Sequence, residues 1–472
     1  MRLTRKQLLG GAAASALGVA GVYELVERLG STPARPPAQA LPPEQHVLQG
    51  VRLTKEEGVE VVVPPLHHQV VTATLQVEDT PTALRSAQAE LEHLLGGIES
   101  DYEPTPAGLG VTIAWGLPYF RRYVPAQARA HLPIDVRASK VKGTRVPVLL
   151  DAMRFPSDPA ATILEQNDVA VLIRSDDLAH IADGANRLFK GSDLFRTTSI
   201  RKGFVGGGFE GGQSLPKRMA VAAGVPGADL IPDRSELFLG FTSTQKAGLG
   251  PERIANLETL GYSSGGPGGY FRQGTHMHLS HIAEDLEAWY VNFTFDERAA
   301  TVFRPSLDVK EGAMTVPQEP KDVATVRTNV HDYNADGVIG HSGSIQTASR
   351  LQADVVGRDG TRYLKGTAIP HRADFNTLDN PFFWSVDPLR DGMSDQPAAG
   401  VHFVVFNPTS DDFHRGRLAM DGTLPDGTKL AFAPGSRGQG FNAVLATTHR
   451  QNFLVPPRRH RSFPLAELRS KT

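Results

Sequence analysis

Three stretches hold side chains whose types and spacing could do chemistry. His331–Gly343, HDYNADGVIGHSG, places Asp332, Asn334, Asp336 and Gly337 at the opening positions of a calcium loop, followed by His341 among small neighbours. A calcium loop takes oxygens from positions 1, 3, 5, 7 and 12, the last a bidentate carboxylate. Position 12 here is Gly343, so an isolated loop would hold the ion poorly, and an Asx turn with Gly337 at positive φ is the plainer expectation. GTHMHLSH carries His276, His278 and His281. On a strand the first two face one way, and the third joins them if the chain turns at Ser280, giving a three-histidine metal site with Glu284 or Asp285 nearby. The alternative is a sheet edge whose imidazoles bond main-chain carbonyls. Trp289, Tyr290 and Trp384 have the types that relay oxidising equivalents, and equally the types that fill a core.

The totals restrict what such residues can serve. The sequence has no cysteine, which excludes disulfides, thiolate metal sites, iron–sulfur clusters and a cysteine nucleophile. A formal net charge of −2 gives no reason to expect nucleic acid as a partner. With 472 residues, 40% hydrophobic and 21% charged, the chain can bury two or more cores. Its 47 glycines and 34 prolines point to long loops around a modest amount of regular structure. There is no phosphate loop, nucleophile elbow or HExxH, and the Arg-rich PPRRHRS (Pro456–Ser462) reads as a solvated end.

Residues 1–40 read as an export signal. Arg2, Arg5 and Lys6 precede an apolar run from Leu8 to Val22, short for a membrane span but suited to a signal core, and Ala38-Gln39-Ala40 is a cleavage candidate. Thr4-Arg5-Lys6 with Leu8-Leu9 resembles a twin-arginine signal, implying export to the periplasm or cell exterior after folding. An uncleaved amphipathic anchor is the other reading of the same residues.

The elements that must position the candidates follow from periodicity. After a linker over 41–66, His67–Val77 alternates as a strand; Thr80 caps and Pro81 opens a helix expected to stop before Gly96-Gly97. Strands at Gly108–Gly116, Val169–Ile173 and Leu194–Phe204 and a helix from Asp176 to Leu188 complete a ferredoxin-like split βαβ order within a first domain, 67–235. In 236–472 the same kinds of piece return: a strand over Gly268–Ile282, helices in EDLEAWYVNF and FDERAATVFRP, strands in QTASRLQADVV, LKGTAIPHRADF and Gly400–Pro408, and a helix in DDFHRGRLAM. The fold class expected is α+β, two ferredoxin-like domains with antiparallel sheets, of the dimeric α+β barrel kind, with Val205–Gln213 as the break.

Five of these stretches, in this order, resemble the dye-decolorising peroxidase superfamily: GLGVTIAWGLPYF, NDVAVLIRSDDLAHIADGANRL, SIRKGF, GTHMHLSHIAEDLEAWY, and GVHFVVFNP with DDFHRGRLAM. The resemblance implies a divergent member holding one haem b per chain and oxidising a small-molecule electron donor with hydrogen peroxide, and it leaves a homo-oligomer open. It places His341 as the ligand to the haem iron, ahead of a segment ending in Arg350, and brings His276 and His278 toward the propionates. Gly340, Ser342, Gly343 and Ser344 leave a porphyrin room to approach, and a carboxylate behind the ring would tune the iron. The distal arginine falls at Arg372, with His371 competing for the slot as a replacement acid/base. The family's Gly-Phe-x-Asp-Gly is here LGFTSTQ, with Ser243 where the catalytic Asp belongs; a hydroxyl is a poor proton shuttle near neutral pH, so slow turnover is expected. Two other readings stay open: a non-catalytic haem- or ligand-binding member, and a histidine-rich non-haem metal protein.

Overall fold

The computed structural model describes residues 41–56, 59–208, 212–241, 259–264, 269–316, 322–378, 397–432 and 439–470. The export signal, Ser243 and Trp384 lie outside the described residues. Among those described, no helix is long and apolar enough to cross a membrane.

The hairpin β1 (Arg52–Glu56) and β2 (Val59–Val63) precedes the first sheet. That sheet is built from β3 (His67–Leu75), β4 (Gly110–Gly116), β6 (Val169–Ser175) and β7 (Phe195–Phe204), in the order β7-β3-β6-β4, with the two-residue β5 (Ile163–Leu164) before β6. Its helices are α1 (Pro81–Asp101) after β3 and α5 (Leu178–Phe189) after β6, while the short α2 (Leu117–Arg122), α3 (Pro125–His131) and α4 (Val136–Lys142) follow β4. This is the βαββαβ connection expected from sequence. In α1, Thr80 accepts from the Ala83 N–H at 3.2 Å, Pro81 opens the helix, and Leu84, Ala87, Leu91, Leu95 and Ile98 form the buried stripe. The helix runs through Gly96 and Gly97 rather than ending before them. Leu95 and Ile98 keep the stripe in contact with the sheet, and that packing outweighs a glycine cost of about 1 kcal/mol each.

The second half repeats the order. β8 (Thr275–Glu284), β12 (Phe375–Thr377), β13 (Gly400–Asn407) and β14 (Leu445–Val455) form β12-β13-β8-β14, and β11 (His371–Arg372) adds to β13 beside β12. Between β8 and β11 lie α7 (Leu286–Val291), α8 (Phe295–Val302), α9 (Val326–Asp336), α10 (His341–Ser349) and the small hairpin β9 (Val355–Val356) and β10 (Arg362–Tyr363). α6 (Leu215–Ala222) bridges the two halves, and α11 (Ser410–Met420) joins β13 to β14.

Two seams close both sheets into one barrel. β14 pairs with β4 through Phe453 opposite Gly116 and Leu454 opposite Trp115, and β12 meets β7 through Asn376 opposite Phe204. At the second seam the backbones approach so closely that a Cβ on Gly203 would lie 1.9 Å from the Asn376 carbonyl oxygen. Val70, Leu172, Met277, Leu279, Phe375, Val404, Phe406 and Phe453 fill the interior. The helices α1 and α5 cover the first sheet outside, and α10 and α11 the second.

Three expectations are corrected. Asp332, Asn334 and Asp336 belong not to an Asx turn but to α9, which Thr325 and Thr328 open with a capping box and which Gly337 ends at the expected positive φ (74°); on a helix those side chains do not converge as a calcium loop requires either. Asp332 is instead buried against Arg304, 2.8 Å away. QTASRLQADVV begins as the end of α10, not as a strand. The arginine-rich tail is not solvated: Arg461 is 3% exposed, clamped by Glu92 and Glu99 of α1, and Phe463 and Leu465 enter the first core.

Candidate functional site

A cavity of about 240 Å³ lies between the outer face of the second sheet and helices α10 and α11. Strand alternation decides what reaches it. On β8, Met277, Leu279 and His281 turn into the barrel, whereas Ser280, Ile282 and Glu284 turn outward and line the cavity. Val401 and Phe403 of β13, Leu445 and Thr447 of β14, and Phe241, Val302, Phe303 and Phe441 make most of the remaining wall apolar.

His341 is the first residue of α10, and the turn that presents it depends on Gly340. That residue adopts φ 67°, and a Cβ there would sit 2.6 Å from the carbonyl oxygens of Ala300 and Phe303. The imidazole lines the cavity and packs on Phe441, ring centroids 4.7 Å apart. Burial first, then the Arg372 and Arg417 guanidiniums, lower its pKa to about 3, so the ring is neutral and keeps a lone pair for a metal. Its Nδ1 is buried with no hydrogen-bond partner, so the carboxylate expected behind the ring is not in place among the described residues.

Arg350, the C-cap of α10, reaches the same cavity and donates from Nη1 to the Gly366 carbonyl at 3.0 Å. Burial lowers its pKa only to about 10, which leaves it charged at neutral pH. Arg372 also lines the cavity. It forms a fork with Asp374, Nε to Oδ1 at 3.0 Å and Nη2 to Oδ2 at 2.7 Å, and its guanidinium lies over Phe403 at 5.4 Å. His371 is opposite Phe406, an interior residue, and so points into the barrel, away from Arg372; its ring is 6.0 Å from that of Phe406, and burial, then Arg174, lower its pKa to about 3. Of the two residues competing for one slot, Arg372 is the one on the cavity wall.

The histidines of β8 do not converge. The strand stays extended to Glu284 instead of turning at Ser280, so His281 faces His402 inside the barrel, rings 5.0 Å apart, while His276 and His278 face outward. His278 Nδ1 is 2.7 Å from Asn452 Oδ1 and its ring stacks on Phe413 at 3.5 Å, which puts it one side chain behind the cavity. His276 is fully buried next to His414, deeper still. Neither lines the cavity, and among the described residues no group of three or more histidines and carboxylates is placed to hold a metal ion. Trp289 is buried with Nε1 donating to the Leu239 carbonyl at 3.0 Å, and Tyr290 donates to the Phe238 carbonyl at 2.6 Å.

Sequence reasoning missed Asp374 and gave Glu284 only a metal-supporting part. The signal for Asp374 was its spacing: on an extended segment, residues 372 and 374 leave the same face. Glu284 Oε2 is buried with no hydrogen-bond partner among the described residues; burial and then the Asp374 charge raise the pKa to about 8. Farther along the wall Arg450 pairs with Asp158 at 2.7 Å and Arg417 with Asp421 at 2.8 Å.

No curated protein matches the chain. Among solved structures it is similar to a putative DyP-type peroxidase protein from Shewanella oneidensis (14% identity, 86% of this chain and 96% of that one, TM-score 0.48). It is also similar to the encapsulated DyP-type peroxidase from Mycobacterium smegmatis (13% identity, 85% and 95%, TM-score 0.47) and to a DyP-type peroxidase from Cellulomonas bogoriensis (18% identity, 88% and 96%, TM-score 0.47). With scores below 0.5, the fold assignment rests on the strand order and pairing above. Residues 65–457, most of the chain, match the family of unknown function DUF7405, and the chain belongs to that family.

Proposed function

We propose that the chain is an exported haem protein of the dye-decolorising-peroxidase kind, with His341 on the iron of one haem b, oxidising small donors with hydrogen peroxide. The observation that carries this reading is His341, a neutral imidazole at a helix start, opening on a cavity with apolar walls. The residues present fit the group: burial keeps the ligand unprotonated, and Arg350 and Arg372 supply positive charge for propionates or for an oxygen that gains negative charge. When bound, haem supplies the redox-active iron at which peroxide is reduced. Arg372 is held in one orientation by Asp374, so its charge needs no reorganisation to act. Export is supported by the basic and apolar pattern of residues 1–22, and carriage of a folded chain suits a protein loaded with a cofactor before it crosses.

Titrating purified protein with haem while recording the visible spectrum tests this reading. A saturable Soret band at one haem per chain, lost in His341→Ala, is the expected result; the same band in the variant removes the ligand assignment. Dye oxidation dependent on hydrogen peroxide then tests catalysis. A second reading, a haem binder without peroxidase turnover, is favoured by the bare Nδ1 of His341. Without a carboxylate partner the ring donates less electron density to the iron. Haem uptake with no dye oxidation is its signature.

A further inference from the structure

We propose that Glu284 is the proton-exchanging acid of this cavity, carrying the proton that peroxide cleavage must move between oxygens. The inference rests on the haem reading for its substrate, hydrogen peroxide, but not for the state of the carboxyl. Three observations support it. Alternation along β8 turns Glu284 toward the cavity, and its backbone N–H, bound to the Ala399 carbonyl at 2.9 Å, fixes the strand end that presents it. Its Oε2 is buried and, among the described residues, has no hydrogen-bond partner. Asp374, the carboxylate nearest in effect, gives both oxygens to Arg372, so among the described residues Glu284 is left as the carboxyl on this wall with no cation of its own.

The surrounding charges act in a known direction. Asp374 with Arg372 comes from the segment beside β13, and Tyr290, with Arg298 over its ring at 5.1 Å, comes from α7. His341, Arg350, Arg417 and the Arg450–Asp158 pair face the cavity from its other sides. Burial and the Asp374 charge dominate, so Glu284 holds its proton at neutral pH. Once ionised, it would take a proton from one oxygen of hydrogen peroxide and return it to the other, which would depart as water; a bound haem would supply the electron pair that breaks the O–O bond. Ser243 cannot do this near neutral pH. Because the working form must first lose its proton, the reaction should accelerate as pH rises toward about 8.

Two measurements test the proposal. The first uses the protein without haem: melting temperatures of wild type and Glu284→Gln between about pH 5 and about pH 8. Wild-type Glu284 is protonated in the fold and ionised in the unfolded chain across this window, so raising pH costs the wild type stability that the Gln variant keeps. The gap in favour of Gln should widen with pH; a constant gap overturns the proposal. The second uses haem-loaded protein. Glu284→Gln should retain the Soret band, lose the alkaline rise and consume peroxide roughly 10²- to 10⁴-fold more slowly, with Glu284→Asp recovering part of the rate. An unchanged rate, or an unchanged pH profile in Gln, overturns the proton-transfer role. Wild-type protein that takes up no haem overturns both the haem reading and this role, whereas a widening gap together with haem uptake and an unaffected rate overturns this role alone.

Discussion

Arg372 and Asp374 leave one face of an extended segment, and the fork between them decides how charge is distributed around Glu284. Replacing Asp374 with Asn removes one of the two causes that raise the Glu284 pKa and leaves burial, the larger one, in place. The pH at which Glu284 ionises should therefore fall part of the way toward its ordinary value, and the pH range of the stability gap described above, remeasured in an Asp374→Asn background, checks this. Some of the site was readable from residue types alone: the small neighbours of His341 pointed to a ring that something flat could approach. The choice between His371 and Arg372 was not readable, because it depends on a one-residue register against β13 that no local pattern specifies. The raised pKa of Glu284 was not readable either, because one of its two causes is the charge of Asp374, a residue 90 positions away that only the second sheet brings near.

At the scale of elements, two glycines give opposite expectations. Gly340 holds positive φ against two carbonyl oxygens, so Gly340→Ala should destabilise the protein by about 1–3 kcal/mol and displace the start of α10. Urea denaturation and weakened haem uptake would register both effects. Gly96, mid-helix in α1, has nothing within 4 Å of where a Cβ would sit, so Gly96→Ala should stabilise by about 0.5–1 kcal/mol. An unchanged denaturation midpoint in either variant would contradict the account given for that helix. The strands with alternating side chains were legible, from His67 and from Gly400 especially, because one face is committed to the barrel. α9 was not: its polar sequence has little amphipathic contrast, and its Asp-x-Asn-x-Asp-Gly ending imitates a turn although Gly337 is a helix C-cap.

At the scale of the whole molecule, the barrel holds a set of neutral histidines: His46, His68, His371 and His402 are all pushed below their ordinary pKa, with burial the main cause of each. In the unfolded chain each would take a proton as pH drops through about 6.5, and the fold excludes that proton. Stability should therefore fall with acidification from about pH 6.5, by up to about 1.4 kcal/mol per pH unit for each such histidine, until the native rings protonate. A urea midpoint that stays flat from about pH 7 to about pH 5 would contradict this arrangement. Deleting residues 456–470 should cost much of the stability too, since Arg461, Phe463 and Leu465 pack on the first sheet's helices. Sequence alone made that tail look solvated because its carboxylate partners, Glu92 and Glu99, lie more than 350 residues earlier.

The pairing of β14 sets a timetable for the nascent chain. This strand lies between β8 and β4, so the ring cannot shut until the ribosome has released the chain as far as Val455. Until then the first sheet stands with β4 as an open edge, ready to pair with a neighbouring polypeptide, whereas β7 can already be met by the earlier β12. Any chaperone that escorts this protein should hold the edge of β4, and should let go only once β14 has been made.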